Sequence, residues 1–276
     1  MLMRRDHVNY LQWSACVSLI SAILGTISLS TEGWVTASAK VDGSIEDVQE
    51  STINYGLFTG ILIRRILASP KSYNIYLTCI FDANICIWSC QQFLGLRKQE
   101  AIFLLKGDKP PFSCPISTST RSSNSFTSNS TQTEFLSASL AATSIFFVIL
   151  TIIILYFSFI LILINCFMSP AITFFNITGI YLLAILEFVI NLLALIFYGS
   201  YYNNWIKNNI GILDTLVGDY KSEASLGYSY WIFFVMCLLH PVVAVFLKLR
   251  NNVLIDKRKE TVIVVAKVND PTTVLY

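Results

Sequence analysis

The chain has 276 residues, of which 54% are hydrophobic and only 13% are charged, and its formal net charge is +2. Soluble domains carry about a quarter charged residues, so this composition indicates a membrane protein and argues against a soluble enzyme. The charges form no concentrated basic surface, which argues against binding to a nucleic-acid backbone.

Four apolar stretches are each long enough to cross the bilayer as a helix, which takes about 20 residues. We predict transmembrane helices at residues 11–29, 138–164, 177–198 and 230–249. Backbone amides inside lipid must bond within their own segment, so helices are expected even where valine and isoleucine are frequent. A signal peptide is the alternative for the first stretch, but such peptides have shorter apolar runs of about 7 to 15 residues.

Basic residues lie outside the two terminal helices, at positions 4–5 and 257–259. Positive charge in short flanks marks the cytoplasmic side, so we predict a multi-pass protein of the plasma membrane with both termini in the cytoplasm. The remaining segments are then an N-terminus at 1–10, extracellular loops at 30–137 and 199–229, a cytoplasmic linker at 165–176 and a cytoplasmic tail at 250–276.

The first loop contains four of the seven cysteines, namely Cys79, Cys86, Cys90 and Cys114. An even number in an oxidising compartment predicts up to two disulfides, and four cysteines allow three pairings. Metal binding by Cys86 and Cys90 is the alternative, but no histidine lies near them in the sequence. We therefore favour disulfides and predict neither a metal site nor a cofactor.

A Ser/Thr-rich insert occupies residues 115–134 and has too few apolar residues to fold alone. It contains Asn129-Ser130-Thr131, an acceptor sequence for N-glycosylation. Asn176 begins a similar sequence, but the predicted topology places it in the cytoplasm, where it would stay unmodified. Glycosylation is therefore predicted at Asn129 alone.

Three segments of the first loop are strand-like, at residues 35–41, 53–62 and 73–80. A sheet of this size is marginally stable by itself, so we expect disulfides and helix ends to support it. The predicted fold is an all-α membrane protein, a four-transmembrane-helix bundle with a small disulfide-linked extracellular β-sheet in the first loop.

Short motifs in this loop resemble a known family. Trp34 follows the first helix, and Tyr55-Gly56-Leu57-Phe58 comes later in the loop. In a four-helix chain this arrangement resembles the claudin-like superfamily, and Phe58 in place of a second tryptophan is more similar to the clarins. The resemblance implies a claudin-like layout and a tetraspan membrane organiser of sensory cells, with a role in hearing or vision.

Polar residues interrupt the apolar helices at Glu187, Asn191 and His240. A carboxylate at mid-membrane costs about 2.5 kcal/mol or more, so Glu187 must face protein or water. Glu187 and Asn191 are four residues apart on one helical face, and His240 is a possible partner. We favour structural hydrogen bonding; the alternative is a proton or ion relay in a small transporter or channel subunit.

The first helix has a face of small residues at Ser14, Ser18, Ser21, Gly25 and Ser28. Such faces let helices approach closely in lipid. We expect this face to pack within the bundle, and a lateral homo- or hetero-oligomer is the alternative.

The tail indicates a scaffold protein as a second kind of partner, besides a lateral oligomer. Residues 261–268 are β-branched and are predicted to be extended, and the chain ends in Val274-Leu275-Tyr276. Apolar side chains at the last and third-last positions beside a carboxylate suit a PDZ-type scaffold. No nucleophile and base motif occurs, so we predict a non-enzymatic organiser. A claudin-like adhesion or junction protein is the first alternative, and the transporter is the second.

Overall fold

A computed structural model of the chain describes residues 3–41, 51–65, 70–106, 135–167, 176–207, 213–214 and 218–268. The described residues form five α-helices, which are α1 Met3–Ser30, α2 Leu94–Leu105, α3 Ala138–Phe167, α4 Ile177–Tyr201 and α5 Tyr228–Val268. A π-helical turn, Tyr202–Ile206, follows α4 directly. The predictions for the insert at 115–134 and for most of the linker at 165–176 lie outside the described residues.

Four of these helices are long and apolar enough to cross a membrane. Their candidate spans are Asn9–Ser30, Ala138–Phe167, Ile177–Ile206 and Tyr228–Ile255. The prediction of four helices that are long and apolar enough for this is therefore confirmed. The span Ala138–Phe167 has 30 residues, so at about 1.5 Å per residue it is about 45 Å long, which matches a bilayer together with its headgroups.

Eight strands of the described chain form one antiparallel sheet. They are β1 Val35–Val41, β2 Ser51–Tyr55, β3 Thr59–Arg64, β4 Lys71–Ile80, β5 Ile85–Ser89, β6 Leu136–Ser137, β7 Leu213–Asp214 and β8 Gly218–Leu226. Their order across the sheet is β6-β5-β4-β3-β2-β1-β8-β7. The sheet is larger than predicted, because the first loop also supplies β5 and β6, and the second loop supplies β8, which pairs with β1, and β7, which pairs with β8.

The strand predicted at residues 53–62 is wrong as a single element. A turn divides it, and the Gly56 amide donates to the Thr59 carbonyl at 2.8 Å. A Cβ at Gly56 would lie 2.6 Å from the Thr59 carbonyl oxygen, so only glycine fits this close approach. The chain therefore reverses here and forms the hairpin of β2 and β3.

Two further expectations need correction. The segment at 261–268 is helical, because α5 continues through it to Val268. The helix α2 is absent from the predicted elements, although its sequence is rich in the helix formers leucine, lysine, arginine and glutamate.

The chain divides into two compact units, and each contains one part of all four membrane helices. The bundle unit comprises Met1–Leu24, Thr151–Ile190 and Val235–Tyr276, and the sheet unit comprises Gly25–Leu150 and Asn191–Phe234. The core of the bundle unit takes side chains from every membrane helix, namely Leu11, Ala15, Leu161, Ile162, Ile180, Ala184, Val243 and Leu247.

Candidate functional site

Trp34 is buried in the sheet unit, where it contacts residues of three membrane helices. Its side chain is 0% exposed, and its indole Nε1 donates a hydrogen bond to the Ser28 carbonyl at 2.7 Å. The indole ring packs against Tyr198 on α4, with ring centroids 4.6 Å apart, and against Phe233 on α5 at 5.7 Å. The first strand is thus fixed to the ends of three membrane helices.

Backbone bonds hold the strand ends beside the helix ends. The Trp34 carbonyl accepts from the Gly227 amide at 2.8 Å, and the Gly33 carbonyl accepts from the Ser229 amide at 2.9 Å. The Ser28 hydroxyl donates to the Ser229 carbonyl at 2.8 Å. Residues at the end of α1 and the start of α5 therefore bind each other directly.

The structure brings most of the family-motif residues to this junction. The Trp34 amide donates to the Tyr55 carbonyl at 2.9 Å, and Tyr55 and Leu57 are both buried. Phe58 is different, since it is 47% exposed. Gly56 and Leu57 also line a cavity of about 10 Å³, which is room for about one water molecule.

Tyr201 lines the same cavity, and its buried hydroxyl makes no hydrogen bond to any described residue. No sequence pattern indicated that Tyr201 lies beside Gly56 and Leu57, because it is far from them along the chain.

The disulfide prediction is confirmed for one pair. Cys79 on β4 and Cys86 on β5 lie directly opposite each other and are bonded, with Cα atoms 4.0 Å apart. This pairing selects among the three that the sequence allowed. Cys90 is also disulfide-bonded, and Cys114 lies outside the described residues.

The turn between these two strands caps a membrane helix. The Asn84 carbonyl accepts from the Ala138 amide at 3.3 Å, and its side-chain Oδ1 accepts from the Ser139 amide at 2.8 Å. Both amides belong to the first turn of α3, where backbone donors have no helical partner. Asn84 has a positive φ of 51°, which asparagine tolerates well.

A buried carboxyl group fixes α2 to the sheet. The Ser89 hydroxyl on β5 donates to Glu100 Oε2 at 2.5 Å. Burial raises the pKa of the Glu100 carboxyl above its usual range, and the Ser89 hydrogen bond lowers it by a smaller amount. The folded protein thus binds this proton more tightly than the unfolded chain, so folding stability falls as pH rises above about 4.5.

The outward side of α2 includes several large apolar side chains. Large exposed hydrophobic side chains occur on the helix and at the residue before it, namely Phe93, Leu94, Ile102, Phe103 and Leu105. Glu100 points inward and is buried. Lys98 and Gln99 are exposed on the same helix, so its outward side is mixed, and exposed apolar clusters of this kind mark interaction surfaces.

The bundle unit contains a buried polar cluster. Glu187 on α4 is 2% exposed, and its Oε2 lies 3.5 Å from Nδ1 of His240 on α5. The Ser158 hydroxyl on α3 lies close to the same carboxyl group. Neither the hydroxyl nor the second carboxyl oxygen, Oε1, has a hydrogen-bond partner among the described residues.

Two of the three predicted intramembrane residues therefore come together, whereas Ser158 was not predicted. Asn191 is fully buried but belongs to the sheet unit. On α1, Ser14 and Ser21 are buried and donate to the carbonyls of Tyr10 and Val17 on the same helix. This serine face is inside the structure, as expected.

Several predicted sites lie outside the described residues. They are the glycosylation acceptor Asn129, the cysteine Cys114 and the tail residues Val274, Leu275 and Tyr276. Among the described residues, no group of three or more histidine, cysteine or acidic side chains could hold a metal ion.

No protein-family model matches the chain, and no curated protein is significantly similar to it. The likeness to the clarins therefore depends on the motif residues and on the four-helix layout.

Proposed function

We propose that the chain is a clarin-like tetraspan organiser of the plasma membrane, acting through lateral contacts and a scaffold-binding tail. The observation that supports it best is the burial of Trp34, Tyr55 and Leu57, the motif residues, at the junction of strands and membrane-helix ends. Four candidate spans and a disulfide-linked sheet fit the same layout.

The proposed topology places both termini in the cytoplasm and the sheet outside the cell. The candidate span of α5 ends at Ile255, and the basic residues 257–259 follow it directly. Such residues are attracted to the anionic inner leaflet by about 1 kcal/mol each. This charge placement favours a cytoplasmic end for α5.

The tail is the proposed attachment to a scaffold. The helix α5 ends at Val268, so residues 269–276 follow it as the segment that a partner would bind. Val274 and Tyr276 supply the alternate apolar side chains that a PDZ groove accepts beside the terminal carboxylate.

Proximity labelling from the tail tests this proposal. The full-length chain should label PDZ-domain scaffold proteins, and changing both Val274 and Tyr276 to alanine should remove that labelling. Leu275→Ala is the matched control, because the middle side chain points away from such a groove. Equal labelling by all three chains, or no PDZ-domain protein in any, would refute the tail assignment.

A sensory role belongs to the same proposal and is supported only by the resemblance. Immunolocalisation in sensory epithelium tests it. Enrichment in hair cells or photoreceptors is expected, and a uniform distribution across tissues would contradict it.

A claudin-like adhesion protein is the second candidate, because α2 presents exposed apolar side chains on the sheet unit. Cells expressing the chain should then aggregate, and Phe103→Glu should abolish aggregation while surface delivery is unchanged. Glu223→Gln is a suitable control, since Glu223 is also exposed. Aggregation that is absent, or unaffected by Phe103→Glu, would exclude adhesion through α2.

A further inference from the structure

The bundle unit brings three polar side chains from three helices into one buried cluster. Glu187 comes from α4, His240 from α5 and Ser158 from α3, and all three are buried. Ionisable residues are rare inside membranes because burying a charge is costly, and those present usually have a function. A purely structural hydrogen bond would need no ionisable group.

The cluster has hydrogen-bonding capacity that the described residues do not use. Glu187 Oε1 and Ser158 Oγ are both fully buried and without a partner. The two groups lie close together, and protonation turns the Glu187 carboxyl group into a donor from which the Ser158 hydroxyl oxygen can accept. A protonated Glu187 can therefore satisfy both buried groups without any further partner.

The chemistry of these side chains favours the binding of one proton. Glu187 and His240 can share one proton, either as a carboxylic acid beside a neutral imidazole or as a carboxylate beside an imidazolium. Both arrangements have zero net charge, and losing or gaining a proton would leave one uncompensated charge in a low-dielectric interior. The pair therefore holds one proton, and a neutral carboxylic acid 3.5 Å from a neutral imidazole places no charge in this interior.

Polar residues on α3 extend from this pair toward the helix end. The helix buries a polar side chain every seven residues, at Ser144, Thr151, Ser158 and Asn165. Seven residues are nearly two helical turns, so these side chains share one face. Asn165 lies about 10 Å beyond Ser158 and close to the last helical residue, Phe167.

Few other titratable groups are buried in this unit. Among its described side chains, the only other fully buried titratable group is the Cys237 thiol, which lies one turn before His240 on α5. The buried polar side chains of α1 are serines. Lys248 and Arg250 lie two or more turns further along α5.

We propose that Glu187, His240 and Ser158 form a proton-binding site that exchanges its proton with the compartment at the C-terminal end of α3. A hydronium ion delivers the proton and leaves as water, and the proton binds a Glu187 oxygen, with His240 neutral beside it. This site goes beyond the organiser function and does not depend on it.

Infrared spectroscopy of the full chain in lipid bilayers tests the proposal. A protonated carboxylic acid has a carbonyl stretch distinct from that of a carboxylate, and the stretch shifts when deuterium replaces the proton. We expect such a band at neutral pH, with a shift in D₂O. It should disappear in Glu187→Gln and move in frequency in Glu187→Asp, a variant that retains the acid.

Further variants test which residue gives the band and whether the proton passes Ser158. Glu100→Gln removes the other buried carboxyl group of the described residues and should leave the band unchanged. Ser158→Ala should slow deuterium exchange by up to about tenfold, the effect of losing one hydrogen bond. Ser144→Ala, on the same face of α3, should leave the rate unchanged.

Four outcomes would overturn the proposal. A band that is missing at neutral pH, that does not shift in D₂O, or that persists unchanged in both Glu187 variants overturns the proposal. Equal exchange rates in Ser158→Ala and Ser144→Ala also overturn it, because the route would then not pass Ser158.

Discussion

Replacing Trp34 with alanine tests the junction between strands and membrane helices. Trp34 is 0% exposed, its Nε1 donates to the Ser28 carbonyl, and its ring contacts Tyr198 and Phe233. The substitution removes the ring and the hydrogen bond together. The space cannot refill easily, because the surrounding backbone is held by its own hydrogen bonds.

The expected loss follows from the buried area. A buried tryptophan removes up to about 250 Å² from water, and about 25 cal/mol per Å² gives up to about 6 kcal/mol. The lost hydrogen bond adds about 1 kcal/mol. Measured losses for such truncations are about 3 to 5 kcal/mol, so we expect a loss of about 4 kcal/mol and a clearly lower unfolding temperature.

Thermal unfolding in lipid nanodiscs, followed by a thiol-reactive dye, provides the assay. The buried Cys237 thiol reacts only when the protein opens, and the double variant Cys16→Ala, Cys166→Ala, which lacks the other two free thiols of the described residues, gives the signal of Cys237 alone. Trp231→Ala is the matched control, because Trp231 is 53% exposed. If Trp34→Ala lowers the unfolding temperature no more than Trp231→Ala does, the junction does not depend on this ring.

Three further variants test other parts of the sheet unit. Glu100→Gln should flatten the decline of unfolding temperature with pH above about 4.5, whereas the exposed Glu223→Gln should not; identical pH profiles would contradict the raised pKa. Cys79→Ser with Cys86→Ser should lose about 2 to 3 kcal/mol, measured by the same unfolding assay, and Cys16→Ser almost nothing; equal losses would contradict a stabilising disulfide. Gly56→Ala should lose about 1 to 3 kcal/mol through its clash with Thr59, whereas Gly95→Ala, with no neighbour within 4 Å, should gain slightly; a neutral Gly56→Ala would refute the turn argument.

The membrane helices were predictable because their signal is local. About 20 consecutive apolar residues suffice to identify a span, so no knowledge of partners is needed. The end of α5 was not predictable in this way. Beyond Ile255 its residues are charged and β-branched, and intrinsic preference alone favoured an extended segment at 261–268.

The sheet was harder to predict, because it pairs strands that are distant in the sequence. β8 contains few apolar residues, and its pairing with β1 joins residues such as Val35 and Leu226. The hairpin of β4 and β5 had a usable local signal, since residues 81–84 separate the two strands and include Asp82 and Asn84, which favour turns. That turn would have indicated the pairing of Cys79 with Cys86.

The candidate site was predictable only in part. Glu187 and His240 stand out from their apolar surroundings, so the sequence alone singled them out. Ser158 did not, because serine is common in membrane helices and its role depends on which helix face meets Glu187.

Cysteine accessibility in intact cells tests the membrane topology most directly. Ser72 in the sheet and Lys259 near the end of α5 are both exposed, so each can be replaced by cysteine and treated with a membrane-impermeant maleimide. We expect Ser72→Cys to be labelled in intact cells and Lys259→Cys to be labelled only after permeabilisation. Labelling of Lys259→Cys in intact cells, or protection of Ser72→Cys, would contradict it.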